Sequence, residues 1–450
     1  MSSSSLSLKK LAIRGTAWTL MGYGFSQCLR LGANLCLTRL LVPEMFGLMA
    51  LVNVFILGLI LFSDIGIAPS IVQHQRGDEP DFLNSAWTLQ IIRGFLLWLF
   101  CLLLAVPVAR FYGEPKLIWL IPIVGFTTII SGFNSTALFT FQRRIDLGKF
   151  TLFELGIQTS SLGVMLAWAW FQPSIWALVA GNLVSESLKM ILSHRLIPGS
   201  NNRLAWDQKA IADIFAFGKW IFISTALTFL AAQTDRLILG KLLSFKLLGI
   251  YNVALIFAEL PKMVIMKIGS QVIFPVISRQ VNLPRAELRQ KILDQRMLIL
   301  LVATPLLAVL VGFGDFLVLG LYDHRYESAA WMLPILALGI WPNLLVATMS
   351  PALLAIGQPL YAAWGNFFKF CYMAIALPLG FSFWGVPGAI IVVACNDFPL
   401  YFIVTYGLWR EKLEAIAQDL QTTLLLISLI TLILIGRHFN GFGIFLPESF

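Results

Sequence analysis

LTRLLVPEMFGLMALVNVF, from Leu37 to Phe55, and LGKLLSFKLLGIYNVALIF, from Leu239 to Phe257, read as two versions of one stretch. At a constant offset of 202, Leu37, Leu40, Leu41, Gly47 and Phe55 meet identical residues, Arg39 meets Lys241, and upstream Trp18 meets Trp220. Each copy ends one long apolar segment, makes a short turn and begins the next, at matching places in the two halves. That is the pattern of a duplicated, polytopic membrane chain.

The rest of the chain agrees. At 58% hydrophobic and 12% charged residues, with mean hydropathy +0.82, it has too little polar surface to coat a soluble globule. Apolar segments long enough to cross a bilayer are predicted at 16–41, 46–73, 84–109, 117–141, 150–171 and 174–194, then at 213–240, 247–278, 292–320, 331–356, 361–382 and 385–409, and last at 420–436. The expected fold is an all-α polytopic membrane protein, two six-helix bundles related by a parallel repeat plus one or two extra C-terminal helices. The halves are 1–197 and 213–410, joined by a cytosolic linker at 198–212; 411–450 holds the extra segment and tail. A second correspondence, LFTFQRR near Leu138 against LLAIGQP near Leu354, follows the fourth segment of each half.

Loops on the side of the N-terminus carry seventeen Lys and Arg, counting Arg296, and the other side seven, counting Arg437. That bias places the N-terminus in the cytoplasm. MSSSSLSLKKLAIRG is expected to be a cytosolic tail leading into a retained helix, not a cleaved signal. Thirteen segments leave the C-terminus outside, unless GFGIFLPESF dips back into the interface; twelve or fourteen crossings stay open.

Several function classes drop out. The net charge of +9 is not gathered on a soluble face, which argues against nucleic acid. Five cysteines, all inside apolar segments without CxxC spacing, argue against a disulfide framework or a metal site and read as small packing residues. Four histidines near segment ends, no H-E-x-x-H and no P-loop leave no catalytic residues, metal or cofactor to expect.

Eight cations fall inside apolar segments: Arg30, Arg93, Lys189, Lys219, Arg236, Lys262, Lys267 and Lys369. Each costs roughly 2.5–3.5 kcal/mol at the bilayer centre, so those at depth need a partner or a wet cavity. Lys189 and Lys219 lie near segment ends, where snorkelling suffices; for Arg93, about a third of the way in, snorkelling and a buried role are both open. Arg30 is central, and Tyr23, Gln27 and Asn34 join it in one polar stripe at helical spacing. Such a stripe faces a cavity, or else locks helix packing. Glu259 and Lys262 are three apart and pair on one face, which neutralises both without any function. Lys267 and Lys369 have no acid three or four positions away, and Lys369 has Asn366 and Tyr372 instead, so these two are the better ligand candidates.

Six acids share the apolar segments (Asp64, Glu154, Glu186, Asp235, Glu259 and Asp397), leaving a small positive excess. That suits an anionic cargo such as a phosphate or pyrophosphate, held by charge-assisted hydrogen bonds. Asp64, Asp235 and Asp397 are the candidate proton or sodium carriers; helix capping and ion pairing compete as explanations. Gly66 and Pro69 beside Asp64, and Pro399 beside Asn396 and Asp397, mark two expected hinges or plain kinks.

RGTAW with Arg30 and Asn34, LTRLLVPEMFGLMALV, FSDIGIAPSIVQ and TDRLILGKLLSFKLLGIYNVALIFAELP together resemble bacterial oligosaccharide flippases of the polysaccharide-transport type. These belong to the multidrug/oligosaccharidyl-lipid/polysaccharide exporter superfamily. The resemblance covers about residues 8–410. It implies a V-shaped pair of six-helix bundles around a laterally open cationic cavity in a bacterial inner membrane. There a polyprenyl-pyrophosphate-linked oligosaccharide passes from the cytosolic to the outer leaflet by alternating access, for exopolysaccharide, capsule or O-antigen synthesis. Arg30, Arg236, Lys262, Lys267 and Lys369 would hold the pyrophosphate, with Tyr23, Gln27, Asn34 and Asn366 as polar cavity residues. Membrane lipids and a polysaccharide polymerase and export machinery are the implied partners. The C-terminus departs from the family in being one crossing short of the common fourteen. A cation-coupled exporter of the same superfamily would need acids to dominate the cavity. A glycan-polymerising or ligating membrane enzyme would need a long outward loop, and the longest here is about ten residues, around GLYDHRYESAA.

Overall fold

A computed structural model describes residues 3–143, 147–195 and 202–443. Residues 1–2, 144–146, 196–201, which include the start of the expected linker, and 444–450 lie outside that set, as do the side chains of residues 3–20, Trp18 among them, and those of Lys219 and Trp220. Among the described residues every regular element is a helix. Eight helical stretches among the described residues are long and apolar enough to cross a membrane. Several of the expected segments are interrupted. The segment expected at 46–73 is Pro43–Phe62 followed by Ile67–Gln73, and that at 117–141 is Leu117–Gly132 followed by Ala137–Arg143. The break expected at 383–384 is found at Gly385, whose non-helical backbone (φ 60°) divides Leu360–Ala394 into two helices across a kink, and the segment expected at 385–409 is interrupted again at 395–397.

The duplicated stretches keep their register in three dimensions. Helix Ser3–Leu40 ends and Pro43–Phe62 begins; 202 residues on, Gln208–Leu242 ends and Phe245–Ile268 begins. Leu37, Leu41 and Gly47 are buried, and so are Leu239, Leu243 and Gly249. The turn amide of Leu41 donates to the Leu37 carbonyl at 2.8 Å and that of Leu243 to Leu239 at 2.8 Å. Pro43 opens one following helix because its missing N–H needs no partner there. Ser244 opens the other by accepting the Leu247 amide. The shared phenylalanine even meets the same partner type: Phe55 is edge-on to Tyr112 at 5.8 Å and Phe257 to Tyr322 at 5.9 Å.

The chain forms two compact units, the first reaching Phe229 and the second starting at Leu230, inside helix Gln208–Leu242. In the first unit, Pro80–Tyr112 packs along Leu117–Gly132, and Ser3–Leu40 along Leu147–Phe171. The hinge expected near Asp64 is a true break. Gly66 takes the left-handed conformation at φ 69°, and Asp64 Oδ1 accepts the Gly66 amide at 2.9 Å. Arg93 answers the carbonyl freed there: it donates to Ile60 O at 2.5 Å and Ser63 Oγ at 3.0 Å. These two bonds tie its guanidinium to the break. Gly218 presses on the Ile65 backbone so closely that any Cβ would overlap its carbonyl.

In the second unit, Arg285–Leu321 packs against Ala329–Gly339 and against the last helix, Ile416–Phe439. Two cations counted with the loops turn out to be core. Arg296, 1% exposed, pairs with Asp419 at 2.5 Å and bonds Thr348 and Gln418. Arg437, 4% exposed, forks onto both oxygens of Asp315 at 2.8 and 2.6 Å. Both corrections share one cause. Each residue sits at the end of an apolar run, where linear position alone does not separate a snorkelling side chain from an anchored one. Removing them from the loop totals leaves the bias in the same direction.

Candidate functional site

The second unit encloses a charged cavity. Helix Gln208–Leu242 brings Asp235 and Arg236 to it, Phe245–Ile268 brings Glu259 and Lys262 one turn apart, and Leu360–Ala394 brings Lys369. Asp397 enters from the break at 395–397, just before Phe398–Arg410. The break matters chemically, because a carboxylate at an interrupted helix sits beside backbone groups no longer fully paired.

Each cation has a partner. Lys369 Nζ lies 2.6 Å from Asp397 Oδ1, which also accepts Asn343 Nδ2 at 3.0 Å. Lys262 Nζ lies 2.9 Å from Glu259 Oε1. Arg236 donates to Gln233 Oε1 at 2.6 Å and Asn252 Oδ1 at 3.0 Å, beside Asp235. Asp235 accepts the Tyr251 hydroxyl on Oδ2, while its buried Oδ1 has no hydrogen-bond partner among the described residues. Three cations face three carboxylates, so the formal charge of the cavity is zero. Surplus charge in a low-dielectric site is strongly penalised, so an added anion is held most readily where a carboxylate gives up its place.

Arg236, Lys262 and Lys369, with Asp235 and Asp397, therefore come together. Lys369 corrects the expectation that it lacks an acidic partner: Asp397 lies 28 residues away, beyond any helical spacing. Lys267 and Asn366 share helices with this set but do not line the cavity. Arg30 belongs to the first unit, where its side chain is exposed, and Asn34 there is half-buried. In the same stripe Gln27 donates to the Tyr23 hydroxyl at 2.7 Å, and neighbouring Ser26 donates to Gln158 at 2.5 Å. Asp64 is occupied by the Gly66 turn. Sequence reasoning missed Gln233, Tyr251, Asn252 and Asn343. Gln233 was detectable, being three residues before Arg236; Asn343 carries no such signal. Among the described residues no cluster of His, Cys, Asp and Glu is arranged to hold a metal.

Against known families, residues 36–331 match the family described as polysaccharide biosynthesis protein. The teichuronic acid biosynthesis protein TuaB of Bacillus subtilis (strain 168) is 23% identical over 296 residues, covering 66% of this chain and 61% of the relative. The lipopolysaccharide biosynthesis protein WzxC of Escherichia coli (strain K12) is 23% identical over 279 residues, covering 61% and 56%. The chain thus spans about three fifths of the length of these relatives. Among solved structures, the lipid II flippase MurJ in an inward closed conformation superposes with TM-score 0.72 at 13% identity, covering 96% of this chain and 94% of that one. An inward-facing multidrug-resistance MATE transporter does so with TM-score 0.67 at 14% identity, covering 86% and 94%. The fold is MATE- and MurJ-like, and the match to the family profile runs through two thirds of the chain. The protein belongs to the family described as polysaccharide biosynthesis protein.

Proposed function

We propose that the protein carries a polyprenyl-pyrophosphate-linked oligosaccharide from the cytosolic to the outer leaflet of a bacterial inner membrane by alternating access. In this reading two six-helix bundles, related by the parallel repeat, open in turn to either side, with the N-terminus in the cytoplasm. The observation that carries it is the convergence of Arg236, Lys262 and Lys369 in one membrane cavity. Arg and Lys match pyrophosphate oxygens with charge-assisted hydrogen bonds. The prenyl tail stays in lipid, Arg30 supplies a further cation from the first unit, and Lys267 guides the approach.

Because every cavity cation already holds a polar partner, the cargo anion takes a carboxylate's place on Lys262 and Lys369. Glu259 and Asp397 are then relieved of their excess charge by a proton or cation, as is Asp235 through its open oxygen. A cation-coupled exporter of small molecules is the competing reading. The equal number of cavity acids and bases favours neither charge of cargo by itself; what supports the anionic one is the family match to polysaccharide biosynthesis proteins.

The test is export of the glycan in cells deleted for the gene. Arg30→Ala, and Lys369→Ala made together with Asp397→Ala so that no lone buried carboxylate remains, are expected to abolish export with normal protein levels, and Arg30→Lys to restore part of it. The lipid-linked intermediate then accumulates on the cytosolic leaflet. Full export by both alanine variants would overturn the proposal.

A further inference from the structure

Residues 202–207, NRLAWD, follow the uncharted part of the linker and are pinned to the first unit at every second residue. The amide of Arg203 donates to Asn84 Oδ1 at 2.9 Å, that of Ala205 to Thr88 Oγ1 at 3.0 Å, and that of Asp207 to Ser85 Oγ at 2.9 Å. Both ends are clamped. Asn202 exchanges hydrogen bonds with Ser135 and Thr136, each 2.7 Å long, and Asp207 takes the Arg76 guanidinium at 2.9 Å. Asp207 also caps the next helix by accepting the Lys209 amide at 2.9 Å. That helix then buries Ala210 and Ile214 against Ile67, Ile71 and Phe82. The segment is a strap, not a tether.

Its side chains do not follow its backbone inward. Alternation in an extended chain puts Leu204 and Trp206 on one face, and they are 72% and 58% exposed. Depth says what covers them. Helix Pro80–Tyr112, which carries the strap, has 33 residues. At about 1.5 Å per residue it is roughly 50 Å long against a hydrocarbon core of about 30 Å, so some 10 Å projects at each end. Thr88, eight residues in, lies about 12 Å from its start, at the boundary between headgroups and acyl chains. Tryptophan prefers that layer, having an apolar body and one polar N–H. Arg203 and Lys209, both exposed, flank it and carry the charge that lipid phosphates attract.

We infer that the 202–207 strap is an interfacial anchor, with Leu204 and Trp206 inserted into the lipid headgroup layer of the bilayer. The test uses the full chain with its five native cysteines changed to alanine. Leu204→Cys, Trp206→Cys and Arg203→Cys, each labelled with bimane, are reconstituted in phosphatidylethanolamine–phosphatidylglycerol vesicles. These changes leave the three backbone bonds in place. At 204 and 206 the expectation is quenching by a headgroup-attached nitroxide lipid and loss of quenching by aqueous iodide, with the opposite order at 203. Equal iodide quenching at all three positions would overturn the anchor. Protection from iodide in native membranes that vanishes in the vesicles would overturn it too, by showing a protein partner there instead.

Discussion

Replacing Lys369 with methionine strands Asp397, a carboxylate only 2% exposed, and Asn343 cannot neutralise it. Losing one member of a buried pair costs about 3–5 kcal/mol, whereas replacing both by apolar groups costs far less. Lys369→Met is therefore expected to lower the thermal unfolding midpoint in detergent sharply, and Lys369→Met with Asp397→Leu to recover most of the loss. An undiminished midpoint in the single variant would show the pair to be solvated. The same residues mark how far the sequence could be read. Glu259–Lys262 was legible because helical spacing makes neighbours of residues three apart. Lys369–Asp397, Arg296–Asp419 and Arg437–Asp315 were not, because each joins two helices whose packing no local rule specifies. Asp315 falls within the segment expected at 292–320 and has to be added to the six acids of the apolar segments, which narrows the apparent positive excess, and its presence was itself a sign that a cation had to be near.

At the level of elements, the last helix is held by two charged staples, Asp419 to Arg296 near one end and Arg437 to Asp315 near the other. They fix its register on Arg285–Leu321 from both ends. Asp315→Leu is expected to free the far end, read as protease cleavage near Arg437, while Asp315→Leu with Arg437→Met restores resistance. The unwound turn at 63–66 has its own requirement in Gly218, where Gly218→Val is expected to displace Ile65 and abolish stable folding of the first unit. The strap adds a pH dependence. Its Arg76 and Lys209 hydrogen bonds hold the Asp207 carboxyl below the usual carboxylate range. A depressed value in the folded state means the clamp contributes fully above the unfolded value, near about 4, and is lost as pH falls through the folded one. A label at residue 206 is thus expected to stay immobile from pH 7 down to about 4 and to loosen only below it. Loosening already near pH 6 would place the control elsewhere.

For the whole molecule, the paired stretches at Leu37 and Leu239 foretold where helices end and begin, since turn and helix start depend on a few adjacent residues. Ionic content did not follow the repeat: Asn34 corresponds to Arg236 and Asp64 to Met266. The second unit gathers three cations and three carboxylates in one cavity, and their cancellation has an electrical consequence. A membrane potential does about 2.3 kcal/mol of work per elementary charge per 100 mV. A cavity whose formal charges sum to zero presents nothing for that field to act on as it turns from one side to the other without cargo. Voltage then bears only on the loaded crossing, through the charge of the cargo and its accompanying ions. In vesicles with the potential clamped by potassium and valinomycin, the empty return is expected to proceed at one rate whatever the voltage. Asp397→Asn, which leaves the cavity one charge positive, is expected to make that return voltage-dependent.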